Sequence, residues 1–260
     1  MDRRRTLKWL GAAAIGASLP ALAFQAYDNV PTLGSGSEVA NATLSAIPKV
    51  TCRIIGVGDA GIRVAVAAYS SGLLHATESN PEFACLSMGR NGIGAAIQAN
   101  RQHPGIAPIR PVQLGRYGAG GNVNIARAAA RKYDRTLRSL VDGADVVIVV
   151  AGIGGGTGSA VAPILASMAM EAGALVLGVI VTPFKWEIGR YPNAFAAVKA
   201  LEGNLHYLVS LPNEKMGELL GVNATLDDVI AQQEILGTAS INRLMEDGSR
   251  FCTNRRSRPT

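Results

Sequence analysis

Residues Ala151-Gly152-Ile153-Gly154-Gly155-Gly156-Thr157-Gly158-Ser159 place five glycines and two hydroxyls within nine positions. An apolar, β-type run (146–150) precedes them and a helical pattern (160–172) follows. Glycines crowded between a strand and a helix let main-chain N–H groups converge on an anion. The helix N-terminus adds partial positive charge, and Thr157 and Ser159 add hydroxyl donors. The natural occupant is a di- or triphosphate. A ligand-free strand-to-helix turn would account for a glycine pair, but not for three consecutive glycines followed by Thr-Gly-Ser. No Walker ending, Gly-Lys-Ser/Thr, occurs anywhere. A phosphate here would be held by backbone, helix dipole and a counter-ion, not by a P-loop lysine.

Two more glycine loops have the same placement. Gly56-Val57-Gly58-Asp59-Ala60-Gly61 closes an apolar run beginning at Val50 and matches the dinucleotide fingerprint G-x-G-x-x-G. An NAD site would put an acidic residue at the end of the second strand to hold the ribose. That end reads Ser87-Met88-Gly89-Arg90, where Ser87 and Arg90 suit the phosphate of NADP. Gly118-Ala119-Gly120-Gly121-Asn122 leads into the helical pattern 123–141.

These loops need a scaffold that gathers them. Short apolar runs predict strands over 50–57, 83–88, 109–114, 145–150, 175–182 and 205–211. Helical patterns fill 62–69, 123–141, 160–172 and 226–246, the last N-capped by Thr225 with Asp228 at the third position. Alternation of this kind predicts an α/β fold with a Rossmann-like parallel sheet flanked by helices on both faces. Ligands of such sheets sit at the carboxyl ends of the strands, and every glycine loop above follows a strand.

The 260 residues suffice for one large domain with a well-buried core. The net charge of +6 is carried by the ends: residues 1–8 hold +3 and residues 248–260 hold +4, leaving the body near neutral. No nucleic-acid groove is expected from such a body. Cys52, Cys85 and Cys252 form neither a disulfide framework nor a zinc pattern. Residues 1–23 read as a twin-arginine-type signal segment: Arg3-Arg4-Arg5 and Lys8, an Ala/Gly-rich apolar run, then Ala21-Leu22-Ala23 before Phe24. The run is too short and weakly apolar for a membrane span. Residues 24–48 read as a linker, 49–247 as the folded domain, and 248–260 as a basic, solvated tail.

On these motifs the stretch 49–247 resembles the GTPase domain of the FtsZ/tubulin family, which ends in a long central helix. Residues 151–159 look like the family signature, with Ser159 where threonine is usual. Residues 118–122 resemble its γ-phosphate loop and 56–61 its first glycine loop. Residues 182–187 resemble its ribose-side loop, and 211–215 the strand end whose asparagine reads guanine. The resemblance implies that Gly154, Gly155, Gly156, Thr157 and Gly158 hold the α- and β-phosphates. It implies that Ala119, Gly120, Gly121 and Asn122 face the γ-phosphate and that Gly58 packs near the phosphates. Glu187 and the neighbouring Arg190 belong to the ribose side, and Asn213 and Gln233 to the guanine edge. The implied ligand is GTP or GDP, with Mg²⁺ at its phosphates, and the implied partners are FtsZ-type protomers.

Departures accompany the matches. Arg63 stands where the family has an asparagine near the base, and Val229 where an aromatic often stacks on guanine. Gln233 replaces an Asp or Asn, and Tyr191 occupies the family arginine's place, one residue after Arg190. Ser87-Met88-Gly89 replaces Asn-Thr-Asp, removing a polar group near the magnesium shell. The family's acidic loop and second domain, which follow the central helix, have no counterpart before the basic tail. Efficient hydrolysis by this chain alone is therefore not expected. Family and ligand imply a bacterial cytoplasmic protein; the leader implies twin-arginine export to the periplasm. An NADP-binding domain, or an exported interaction domain without nucleotide, remain the alternative readings.

Overall fold

The computed structural model describes residues 49–76 and 80–256, all within the unit Lys49–Thr260. The predicted export segment (1–23) and linker (24–48) lie outside them. The described chain runs β1 (Cys52–Val57), α1 (Gly58–Ser70), β2 (Glu82–Ser87), α2 (Arg90–Gln102), β3 (Arg110–Gln113), α3 (Val123–Lys132) and α4 (Asp134–Arg138). It continues through β4 (Val146–Gly152), α5 (Gly156–Glu171), β5 (Leu175–Thr182), α6 (Tyr191–Glu202), β6 (Tyr207–Pro212), α7 (Asn213–Leu220) and α8 (Leu226–Arg256). Short 3₁₀ turns occupy Leu73–Ala76 and Ile188–Arg190.

All six strands are parallel, in the order β3-β2-β1-β4-β5-β6. The order reverses between β1 and β4, the crevice where doubly wound sheets take their ligands. Val57 pairs with both Leu86 and Ala151, and Gly152 with Val181, so the carboxyl ends of the central strands lie level. The loops predicted to carry chemistry therefore leave from one edge.

Side chains alternate across the pleat into two cores. Ile55, Val57, Val147 and Val149 face α3 to α6, meeting Ala126, Leu137, Leu165 and Ala197. Ile54, Cys85, Ile148 and Val150 face α1, α2, α7 and α8, meeting Ile62, Ala96, Met216 and Ile241. Burial raises the Cys52 and Cys85 thiols to about 12, which keeps them protonated as small core groups. No helix among the described residues is long and apolar enough to cross a membrane.

Three features differ from the sequence reading. The 123–141 pattern is two helices: the Tyr133 N–H donates to both the Ala129 and Ala130 carbonyls, tightening the turn that ends α3. Helices α2, α6 and α7 were not legible as periodic patterns. The long helix does not stop at Glu246 but runs to Arg256, taking in most of the residues assigned to a basic tail. Gly248 lets it lie on the sheet, where a Cβ would come within 3.1 Å of Val146 and 3.3 Å of Leu177. Arg256 then pairs with Asp145, whose other oxygen accepts the Thr51 N–H at 2.8 Å.

Candidate functional site

A cleft of about 1080 Å³ lies along the carboxyl edge of the sheet. Its centre is built by backbone. Gly58, at the first position of α1, has φ +70°, and a Cβ there would stand 3.2 Å from the Gly158 nitrogen. A Cβ on Gly158 would stand 2.0 Å from the Gly152 oxygen, which no side chain tolerates. Gly155 caps α5 with no side-chain hydrogen bond, so the amides of its first turn, Gly156 to Gly158, have no protein cap. Such orphan amides at the positive end of a helix macrodipole suit an anion. The opposing loop closes tightly on this turn: a Cβ on Gly156 would meet the Ala119 Cβ at 2.7 Å and the Asn122 oxygen at 3.0 Å. Gly120 and Gly121 hold φ +58° and +78° to make that approach.

Two of the predicted donors do other work. The Ser159 hydroxyl is buried and accepts the Gly154 N–H at 2.8 Å, so it fixes the turn and takes the Gly154 amide out of the cleft. Ser159 is buried and does not line the cleft, which corrects its reading as a phosphate donor, and Gly154 lines the cleft without offering its amide. Asn122 does not line the cleft; its Oδ1 accepts the N–H groups of Asn124 (2.9 Å) and Ile125 (3.3 Å) and caps α3. Gly58, Ala119, Gly120, Gly121, Gly155, Gly156, Thr157, Gly158, Glu187, Arg190, Asn213 and Gln233 all line the one cleft.

At the β5 end, Glu187 accepts the Phe184 N–H at 2.9 Å through one oxygen and pairs with Arg190 at 3.1 Å through the other. Each oxygen keeps a lone pair for a further donor. At the β6 end, the Gln233 side-chain amide donates to Asn213 Oδ1 at 2.5 Å. Leu226, Ile230 and Gln233 share one face of α8 and turn it into the cleft. Val229, one position off that face, is buried in the core and lines nothing. Leu226 and Ile230, not Val229, give this face of the cleft its apolar side chains.

Sequence reasoning missed Asn193. Its Nδ2 donates to the Gly121 carbonyl at 2.8 Å and reaches the Gly154 carbonyl at 3.3 Å, tying α6 to both glycine loops. Ser87 does not wait for an NADP phosphate. It is buried, donates to Asp59 at 3.4 Å and accepts the Gly89 N–H at 3.3 Å. Arg63, Arg90, Arg116 and Arg190 line the cleft against only Asp59 and Glu187, leaving it cationic.

This arrangement fits the phosphates of a nucleotide: a cradle of amides that any Cβ would fill, inside a cationic cleft. The strand order alone is shared with dinucleotide-binding sheets. The profile of the Tubulin/FtsZ family, GTPase domain, matches residues 51–221. The chain belongs to the Tubulin/FtsZ family. It is 39% identical over 116 residues to the cell division protein FtsZ of Haemophilus influenzae, a match covering 44% of this chain and 27% of that one. It is 38% identical over 123 residues to FtsZ of Pseudomonas aeruginosa, covering 44% and 31%. These matches span about a third or less of those bacterial relatives. Among solved structures, an empty FtsZ dimer from M. jannaschii superposes with a TM-score of 0.64 at 24% identity, over 76% of this chain and 55% of that one. GDP-bound CetZ1 from Haloferax volcanii gives 0.57 at 18%, over 73% and 58%. The fold of the GTPase domain is therefore common to this chain and these family members.

Proposed function

We propose that this chain binds a guanine nucleotide, GTP or GDP, in the cleft at the carboxyl edge. One observation carries the reading: the uncapped first turn of α5, packed so closely that a Cβ on Gly58 would stand 3.2 Å from the Gly158 nitrogen and one on Gly156 2.7 Å from the Ala119 Cβ. In this reading Gly155, Gly156, Thr157 and Gly158 take the α- and β-phosphates, and Gly120 and Gly121 face the γ-phosphate. Glu187, steadied by Arg190, accepts from the ribose hydroxyls. The bond between Gln233 and Asn213 leaves an N–H on Asn213 and an oxygen on Gln233. That donor and acceptor complement guanine O6 and N1–H, and adenine presents the opposite pattern. Ser87, already satisfied, speaks against the NADP alternative.

Hydrolysis by the chain alone is expected to be slow. The only carboxylates lining the cleft among the described residues are Asp59, taken by Ser87, and Glu187, taken by Phe184 and Arg190. In this reading Glu187 serves the ribose, and Asp59, held by Ser87 through one oxygen, is the one carboxylate left to orient an attacking water. The rim around the cleft is apolar and exposed at Tyr117, Trp186, Ile188 and Phe195, and we propose it as the face that meets an FtsZ-type protomer, through which the chain would modulate filaments.

The test is to denature the purified chain and identify the nucleotide released, then to titrate the stripped protein with GTP, ATP and NADP. GDP or GTP in the extract and a preference for GTP over ATP are expected. NADP affinity without GTP affinity would replace this reading, and no nucleotide affinity would leave an interaction domain. Compartment is tested by fractionation of the tagged chain: release from the periplasm that is lost in Arg4→Lys/Arg5→Lys supports export, and an unchanged cytoplasmic pool supports the family's cytosolic ligand.

A further inference from the structure

The cleft end beneath β2 and β3 carries two arginines that the nucleotide reading has not used. Arg90 opens α2 and Arg116 immediately precedes Tyr117 and the glycine loop; both are exposed and line the cleft. Neither makes an ion pair among the described residues, and Arg116 lies 5.7 Å over the Tyr117 ring. Their loops are in contact, since a Cβ on Gly89 would stand 3.3 Å from the Gly118 nitrogen. The same loop meets the start of α5 through Ala119 and Gly156. The α5 amides, Arg90 and Arg116 thus line one continuous cleft, joined through the 118–121 loop.

The donor set there is poor for Mg²⁺, with two guanidiniums against one carboxylate that Ser87 already engages. That ion binds phosphates together with one or two carboxylates or other oxygen ligands. Asp59 is the one carboxylate lining this end, and Ser87 donates to it. No group of three or more His, Cys, Asp or Glu side chains gathers among the described residues. Two guanidiniums repel a divalent cation and offer forked donors to phosphate oxygens.

We propose that Arg90 and Arg116 neutralise the terminal phosphate of a bound nucleoside triphosphate, so that this chain binds the triphosphate without a divalent metal. The inference rests on the guanine-nucleotide reading above. Its test uses the full chain stripped of nucleotide, with affinities measured for GDP and for the non-hydrolysable triphosphate GMPPCP in excess EDTA and in excess Mg²⁺. The ratio of the two affinities should stay within about threefold between the two conditions. Arg90→Gln and Arg116→Gln should each lower GMPPCP affinity about tenfold or more, as expected for loss of a charged hydrogen bond, and leave GDP affinity within about threefold. GDP binding by the variants shows that they fold. EDTA that abolishes GMPPCP binding but spares GDP, or variants with an unchanged ratio, overturn the inference alone. A wild-type chain that binds neither nucleotide overturns the nucleotide reading and this inference with it.

Discussion

At Gly158 a methyl group would lie 2.0 Å from the Gly152 carbonyl oxygen, which belongs to backbone that cannot give. Gly158→Ala is expected to cost about 3 kcal/mol of stability, the upper range for overpacking, seen as a lower denaturant midpoint. A midpoint equal to the wild type's would mean that the turn is looser than described. Acid should act through His206. Burial pushes its pKa below the ordinary value, and its Nδ1 accepts the Val176 N–H at 3.0 Å, which a protonated nitrogen cannot do. The unfolded chain binds that proton more readily, so stability is full above about pH 6.5 and falls as pH drops through the lowered value. His206→Gln should flatten this acid limb in a pH series of unfolding curves; an unaltered limb would assign it elsewhere. The glycines of the cleft were legible because nothing but close approach explains so many in one turn. Ser159 and Asn193 were not. A hydroxyl or amide shows no partner in sequence, and Asn193 reaches carbonyls 72 and 39 positions away.

Helix α8 links the two edges of the sheet. Its first turns present Leu226, Ile230 and Gln233 to the cleft, and its last turns place Gly248 on Val146 and Arg256 on Asp145 at the start of β4. It packs tightly on α1 at Gly237, where a Cβ would stand 2.3 Å from Val64 Cγ1. Unlike the clash at Gly158, this one involves a side chain that can be removed. Gly237→Ala should cost about 1–3 kcal/mol and Val64→Ala a similar amount through a cavity. The double variant should be less destabilised than the two single costs combined by about 1 kcal/mol or more, read from denaturant midpoints. Strict additivity would show that the helices do not meet as described. The strands were legible because runs such as 146–150, covered on both faces, are apolar throughout. The helices α2, α6 and α7 escaped because each buries one large apolar side chain, Ile93, Leu201 and Met216, beside small ones or none: Gly92, Ala96 and Ala99 in α2, and Ala194 and Ala197 in α6. The Val229 reading failed on helix phase, which motif alignment does not fix to within one residue.

Across the described molecule, the parallel order brings the glycine loops to one edge; exposed Tyr117 and Trp186 line the cleft there, and exposed Ile188 and Phe195 stand one and two residues from its lining residues Glu187 and Asn193. Ile188 and Phe195 are 77% and 74% exposed and lie outside the cleft lining, so their apolar surface serves neither core nor ligand. Burying one such side chain against a partner is worth about 1.5–3 kcal/mol, enough for two of them to decide whether a weak association is seen. Ile188→Ser/Phe195→Ser is therefore expected to reduce co-sedimentation of the chain with FtsZ filaments by at least tenfold. Nucleotide affinity, measured on the same preparation, should stay within about threefold, because neither side chain lines the cleft. If the variant still sediments like the wild type, the apolar rim is not the contact face. If both properties fall together, the rim and the cleft form one cooperative unit, and association depends on the nucleotide site being built rather than on these two side chains.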